Sequence, residues 1–240
     1  MNSNSDKPSI AIFFPVYRDE ATVEIVAKKS LKVLSDVASR YKVIIVDDGS
    51  PDRSGDIADK LAEEYPGKIL SVHHDKNLGY GAALQTGFKY SLDYEWICFT
   101  DGDNQYDVNE LYHISKLLHH YDLIVTFRYS KIYGTLRIFI SYVYNLVIRW
   151  LFKSKLKDHN CGLKIIRSGV IKDMELISTS AFIGAEIIIN AMVRGYPIGE
   201  VGIKTYPRTF GESSVMSMRH ISNSIRDMLR VYVKIFRQKG

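Results

Sequence analysis

The feature that most constrains this chain of 240 residues is a rhythm. Short apolar runs, IAIFF (10–14), KVIIV (42–46), ILSVH (69–73), WICFT (96–100) and LIVTF (123–127), alternate with longer segments of helical period: Glu20 to Ser39, Arg53 to Tyr65, Gly81 to Leu92 and Val108 to His119. Runs this short and this apolar suit strands buried on both faces, and strands separated by helices read as βαβ units. The predicted fold class is therefore α/β, a mostly parallel sheet with helices on both faces. Proline and glycine punctuate the joints at Pro15, Gly49, Pro51, Pro66, Gly67 and Gly79. After residue 130 the rhythm breaks into a long apolar-aromatic helix over 136–152, a strand GLKIIR (162–167), a helix from Ile183 to Arg194 and the run IGEVGIKTYPR (198–208). This second half reads as a different functional region built onto the same sheet.

At 46% hydrophobic and 25% charged, the chain can bury a sizeable core. The expected organisation is a lead-in over 1–8, one domain over 9–214 and a basic helix over 215–240. Two cysteines, Cys98 in an apolar run and Cys161, fit neither a disulfide framework nor a zinc site, so a reducing, cytoplasmic location is expected. The N-terminal MNSNSDKPS lacks the apolar region of a secretory signal. LRIFISYVYNLVIRWLF (136–152) contains Arg137, Asn145 and Arg149 and falls short of the ~20 apolar residues a spanning helix needs. Its aromatic residues, with Tyr129 and Tyr133 before it, are expected in the core. In the C-terminal stretch, Met218, Ile221, Ile225, Leu229, Tyr232 and Ile235 recur at helical spacing, interleaved with Arg219, Arg226, Arg230, Lys234 and Arg237. That pattern fits a helix lying on an anionic membrane surface or meeting a small membrane anchor subunit, with packing on its own domain as the alternative. The net charge of +5 suits anionic partners.

Ligands of open α/β sheets bind beyond the carboxyl ends of the strands. The loops there are acidic: PVYRDE after the first strand, DDGSPD after the second, HHDKNLGYG after the third and TDGDNQYD after the fourth. Carboxylates gathered in this way repel one another unless a cation or a donor-rich ligand joins them. Asp101 and Asp103 are two residues apart, so an extended chain points both to one side, and such oxygen ligands suit Mg²⁺ or Mn²⁺. A calcium-binding EF-hand loop is excluded, because Tyr106 and Tyr112 stand where its glycine and glutamate belong. Asp107 is expected to cap the helix that follows, and Ser50 or Asp52 the helix after DDGSPD. Asp48 is free, on this reading, to accept hydrogen bonds from a ribose or base. His73, His74 and His159 read as polar loop residues and Cys98 as a small core residue.

Taken in order, FFPVYRDE, VIIVDDGSPD, NLGYGAALQTGF, TDGDNQYD, TFRYSK, DHNCGLKIIR and YPRTFGESS resemble the family 2 glycosyltransferases of the GT-A fold, nearest to the polyprenyl-phosphate branch of dolichol-phosphate mannose and glucose synthases. The likeness runs from about Ser9 to Ser214. It implies transfer of a hexose, with inversion, from a UDP- or GDP-sugar to a polyprenyl phosphate, assisted by Mg²⁺ or Mn²⁺, on the cytosolic face of a membrane. It further implies that Pro15, Tyr17, Asp19, Asp48 and Gly79 belong to the nucleotide-sugar site. Asp101 and Asp103 would hold the metal and diphosphate, with Gln105 beside them. Arg128, Arg137 and Arg208 match phosphate-binding arginines, with Ser214 where a lysine is frequent; Asp158 and Glu186 match acidic positions near the sugar and acceptor. Arg18 and Gly184 depart from the family's asparagine and aspartate. Asp103, Asp158 and Arg128 are the expected catalytic residues. A glycan acceptor is the alternative, and no nucleic-acid partner is expected, since nucleic-acid binding by the basic tail would not need the metal site.

Overall fold

The computed structural model describes residues 7–129, 135–207 and 218–237. Seven strands form one sheet in the order β3-β2-β1-β4-β6-β5-β7. They are β1 (Ser9–Val16), β2 (Arg40–Asp47), β3 (Ile69–His73), β4 (Trp96–Phe99), β5 (Leu123–Arg128), β6 (Lys164–Arg167) and β7 (Ile198–Ile203). Only β6 runs antiparallel to its neighbours, β4 and β5. The helices are α1 (Val23–Val37), α2 (Ser54–Glu64), α3 (Tyr80–Ser91), α4 (Leu111–Ile114), α5 (Thr135–Phe152), α6 (Ser168–Lys172), α7 (Ile183–Val193) and α8 (Met218–Arg237).

The unbroken apolar runs have the cause expected of them. Ile10, Ile12 and Phe14 of β1 enter a core shared with α1 and α2, whereas Ala11 and Phe13 enter a second core with α3 and α7. Alternate side chains thus bury on opposite faces, and neither face is left to water. On the second face Phe13, Phe88 and Phe99 pack together, with ring centroids 4.9 to 5.7 Å apart. A third, smaller core joins Ile148 of α5, Phe182, Ala185 and Ile189 around α7, and Met228, Val231 and Ile235 of α8. The C-terminal helix is thereby packed on the domain through one of its faces.

Three expectations change. The segment from Val108 to His119 is a single turn of α-helix, α4, flanked by 3₁₀ turns at Val108–Glu110 and Ser115–Leu117. The aromatic helix α5 is not wholly core: Tyr144 and Ile148 face inward, but Phe139, Tyr142, Val143, Leu146 and Trp150 are exposed, as is Tyr129 before it. His159 is buried instead of lying on a polar loop surface. Among the described residues no helix is long and apolar enough to cross a membrane.

The topology positions the site. From β1 the chain steps outward to β2 and β3, then returns to lay β4 on the other side of β1. The loops after β1 and β4 therefore diverge, which opens a crevice at the carboxyl edge of the sheet. The end of β5 and the start of β6 reach the same edge, because β6 alone is reversed.

Candidate active site

The loop after β4 forms the floor. Gly102 sits so close to β1 that a Cβ would lie 2.7 Å from the Pro15 carbonyl oxygen, and its own carbonyl accepts a 2.7 Å bond from Thr22 Oγ1. Asp101 and Asp103 are thus held against the end of β1. Asp101 Oδ1 accepts from the Tyr80 hydroxyl at 2.9 Å, and Asp103 Oδ1 accepts from the Gln105 backbone N–H at 3.1 Å. Gln105 in turn donates through Nε2 to the Tyr206 carbonyl, while Tyr206 N–H donates to the Gln105 carbonyl, which ties this loop to the chain after β7. Asp107 caps as expected, accepting from Asn109 N–H at 3.1 Å.

Beside this floor stands a buried ion pair. Arg128, the last residue of β5, donates from Nε to Asp158 Oδ2 at 2.7 Å, and Asp158 Oδ1 accepts from Asn160 N–H at 3.0 Å. Burial alone would lower the Arg128 pKa, but Tyr106 and Asp158 hold it above its ordinary value, so the guanidinium stays charged. The same loop passes directly over Asp101: a Cβ on Gly162 would lie 2.4 Å from Asp101 Oδ2, so only glycine lets the two halves of the site meet. Below them Lys164 is buried, its ammonium donating to the Cys161 carbonyl and lying 5.3 Å from the Phe99 ring. Burial lowers its pKa, an effect the charges of Asp158 and Asp101 oppose.

The side expected to hold the nucleoside is built from the loops after β1, β2 and β3. Pro15 is buried at the end of β1, paired with Val46. Asp19 Oδ2 accepts from Tyr17 N–H at 3.2 Å, and Asp19 N–H donates to Ser54 Oγ at 3.0 Å. Gly79 takes a φ of 95° as the cap of α3 and donates to Asp48 Oδ2 at 2.9 Å.

Two carboxylates expected to contact ligands are hydrogen-bonded within the protein. Asp48 is buried and joined to His74 Nδ1 at 2.7 Å, Leu78 N–H at 2.8 Å and Gly79 N–H, so it ties the loop after β2 to the entry of α3. Glu186, expected near the acceptor, is 0% exposed and accepts from Ile177 and Ser178 N–H, each at 2.9 Å. The helix after DDGSPD starts at Ser54 with Arg53 in the cap position, not Ser50 or Asp52, and no side-chain cap bond, although Asp52 Oδ1 accepts the Ser54 N–H at 3.2 Å. Arg208 and Ser214 lie outside the described residues, as does the Arg137 side chain.

Sequence reasoning missed Tyr80 and Lys164, which stand inside the NLGYG and NCGLK motifs and gave no further signal. It also missed Asp227, the single acid of the basic C-terminal stretch. Asp227 Oδ2 accepts from Thr179 N–H at 3.0 Å and Ser180 N–H at 2.9 Å.

The glycosyl transferase family 2 profile matches residues 11–183. The chain belongs to glycosyl transferase family 2. Among curated family 2 relatives, an undecaprenyl-phosphate 4-deoxy-4-formamido-L-arabinose transferase of Shewanella sediminis (strain HAW-EB3) is 27% identical over 231 residues, covering 95% of this chain and 68% of the relative. The protein of the same name from Edwardsiella ictaluri (strain 93-146) is 26% identical over 215 residues, covering 89% and 65%. The chain thus spans about two thirds of the length of these relatives. Glucosyl-3-phosphoglycerate synthase from Mycobacterium tuberculosis, solved with Mn²⁺, UDP-glucose and phosphoglyceric acid, superposes with a TM-score of 0.72 at 15% identity, over 95% of this chain and 81% of that one. The same enzyme with Mg²⁺ and UDP gives 0.69 at 15% identity, over 95% and 80%. The fold is that of the GT-A glycosyltransferases.

The family 2 site suits a divalent cation through its donor set. Asp101 and Asp103 supply hard carboxylate oxygens, and among the described residues no group of three or more His, Cys, Asp or Glu could complete a shell from protein alone. Mg²⁺ and Mn²⁺ are commonly held in this way, by one or two carboxylates with phosphate and water oxygens filling the rest.

Proposed function

We propose that the protein transfers a sugar from a nucleoside-diphosphate donor to a polyprenyl phosphate. The observation that carries this reading is the meeting, at one sheet edge, of the Asp101 and Asp103 carboxylates with the buried Arg128–Asp158 pair. The lipid acceptor is supported by the undecaprenyl-phosphate transferases among the relatives. A hexose from UDP or GDP remains the reading of the donor, although those relatives are named for a formamido-arabinose.

Asp101 and Asp103 would hold Mg²⁺ or Mn²⁺, which supplies Lewis-acid neutralisation of the departing diphosphate. Arg128 offers a planar guanidinium whose orientation is set by Asp158, the geometry that phosphate recognition uses. A phosphate monoester with a second pKa near ~6 is mostly dianionic at neutral pH, so the acceptor needs no strong base. Asp158, with one oxygen engaged by Arg128 and the other by Asn160, orients instead of abstracting a proton. Direct displacement by the acceptor oxygen inverts the anomeric centre. An acceptor held in a membrane would make peripheral association on the cytosolic face the matching location.

The test is a panel of UDP- and GDP-sugars, including the formamido-arabinose donor, with detergent-dispersed polyprenyl phosphate and Mn²⁺ or EDTA. A lipid-linked sugar is expected, abolished by EDTA and by Asp103→Ala but retained at a reduced rate by Asp158→Asn. Product on a soluble acceptor with none on the lipid would overturn the acceptor; Asp158→Asn as inactive as Asp103→Ala would overturn the orienting role.

A further inference from the structure

Among the described residues, the exposed face of α5 is a large apolar surface that neither the fold nor the site explains. Phe139, Tyr142, Val143, Leu146 and Trp150 follow the i, i+3, i+4, i+7, i+11 spacing of a single helix face. That face is opposite the side on which Asn145 and Ile148 are buried. Trp150 is 78% exposed and Phe139 63%, although both side chains are strongly apolar and a folded chain in water would cover them. Their composition, aromatic rings mixed with aliphatic side chains, is that of a helix at a membrane–water boundary.

Charge identifies the occupant. From Leu123 to Lys157 the sequence contains no aspartate or glutamate, while it contains Arg128, Lys131, Arg137, Arg149, Lys153, Lys155 and Lys157. Lys153, Lys155 and Lys157 are exposed and directly follow α5. The Lys157 backbone N–H donates to Glu200 Oε1 at 2.6 Å, and the acid that follows it, Asp158, is engaged by Arg128 and the Asn160 N–H. An apolar helix face followed by cations suits a bilayer of anionic lipids, whose surface attracts each nearby lysine or arginine. Position agrees with charge. The lysine run leads straight into Asp158, the partner of Arg128, and the Lys157 ammonium lies 4.2 Å from the ring of Phe127, next to Arg128 in β5.

We propose that α5 is the membrane-docking element, its Phe139–Trp150 face entering the headgroup boundary of an anionic bilayer and the lysines after it meeting lipid phosphates. This rests on the lipid-acceptor reading above and assigns it a surface. It also moves the principal contact away from α8, whose inner face is used in packing and whose outer apolar residues, Ile225, Leu229, Val233 and Phe236, lie beside Arg226 and Arg230.

The two tryptophans make the test direct. Trp96 is 1% exposed, with Arg167 over its ring, so a change in emission on docking reports Trp150. The full chain is floated with vesicles of phosphatidylcholine alone or mixed with phosphatidylglycerol, without any polyprenyl phosphate. Binding to the mixed vesicles is expected, with a blue shift of emission and weakening by salt. Leu146→Glu and Trp150→Ala are expected to lose partitioning by about tenfold or more, with sugar-nucleotide binding kept, whereas Leu229→Glu keeps most of it. Leu146→Glu floating like the parent, an unshifted emission in the bound state, or loss confined to Leu229→Glu would overturn the proposal. So would a dimer in solution that Leu146→Glu disperses, which would assign the face to a second copy. Because the vesicles hold no acceptor, failure here leaves the transfer reaction in detergent as a separate result.

Discussion

Asp101 shows how a single side chain can belong to two regions of the sequence at once. Its D-x-D spacing presents it as a metal ligand, but its orientation comes from Tyr80, 21 residues earlier, whose hydroxyl donates to Oδ1 at 2.9 Å. Burial first and the charge of Asp101 second push the Tyr80 hydroxyl well above its ordinary pKa, so it remains a donor at any working pH. A hydrogen bond to a charged group contributes about 1.5–3 kcal/mol, so Tyr80→Phe should raise the metal or donor requirement roughly tenfold or more without unfolding the chain. Titration of Mn²⁺ against initial rate checks this, and an unchanged metal dependence would remove Tyr80 from the site. His159 is the other residue whose environment decides its chemistry. Asn145 donates from Nδ2 to the Ser141 carbonyl, so its Oδ1 is the acceptor facing His159, and the ring must donate from Nδ1 and accept at Nε2 from Ser154. Burial, reinforced by Lys164, lowers its pKa to about 4. Between that value and the ordinary ~6.5 the folded state binds fewer protons than the unfolded chain, so stability is full above ~6.5 and falls as pH drops towards 4, by about 3 kcal/mol at most. Urea unfolding from pH 7 to 4.5 should show a steeper acid loss for the parent than for His159→Gln; parallel slopes would refute the buried neutral imidazole.

At the scale of elements, what was legible followed from local pattern. Short apolar runs became strands because each feeds two cores, and Asp107 read as a cap because capping needs only the next two residues. The acidic loops were legible as a site because parallel topology alone gathers strand ends. Four features were not. The turn at α4 needed knowledge of its packing, since the apolar spacing from Val108 to Leu118 fits a continuous helix equally well. The Arg128–Asp158 pair, 30 residues apart, depends on the reversed strand β6, which no periodicity announces. Glu186 matched an acidic position of the family, yet where its carboxylate turns was decided by two unpaired N–H groups at Ile177 and Ser178. In α5 apolar residues run almost all the way round, so sequence could not say which side meets the domain.

At the scale of the whole molecule, α8 is joined to the carboxyl edge of the sheet by a continuous set of contacts. Asp227 holds the N–H groups of Thr179 and Ser180; the Thr179 carbonyl accepts from Gly81 N–H at 3.1 Å, and the Ser178 carbonyl from Gln85 Nε2 at 3.0 Å. Those two residues lie in the first turns of α3, whose leading residue is Tyr80. The helix that looks like an appendage in sequence thus supports the element that aims Asp101. It also fills the third core with Met228, Val231 and Ile235. At about 1.5–3 kcal/mol for each buried apolar side chain, removing them forfeits about 5 kcal/mol or more, a large part of the ~5–15 kcal/mol by which a domain is stable. For a domain of this size that corresponds to a fall in Tm of about 10 °C or more. Deleting residues 218–240 should therefore weaken sugar-nucleotide binding and lower Tm even with no membrane present, whereas Leu229→Glu on the outer face should do neither. Thermal melts and a sugar-nucleotide titration on the two proteins decide the matter. A truncated chain that melts with the parent and binds donor equally well would make α8 a detachable tail, and the connection from Asp227 to Tyr80 would then carry no energy.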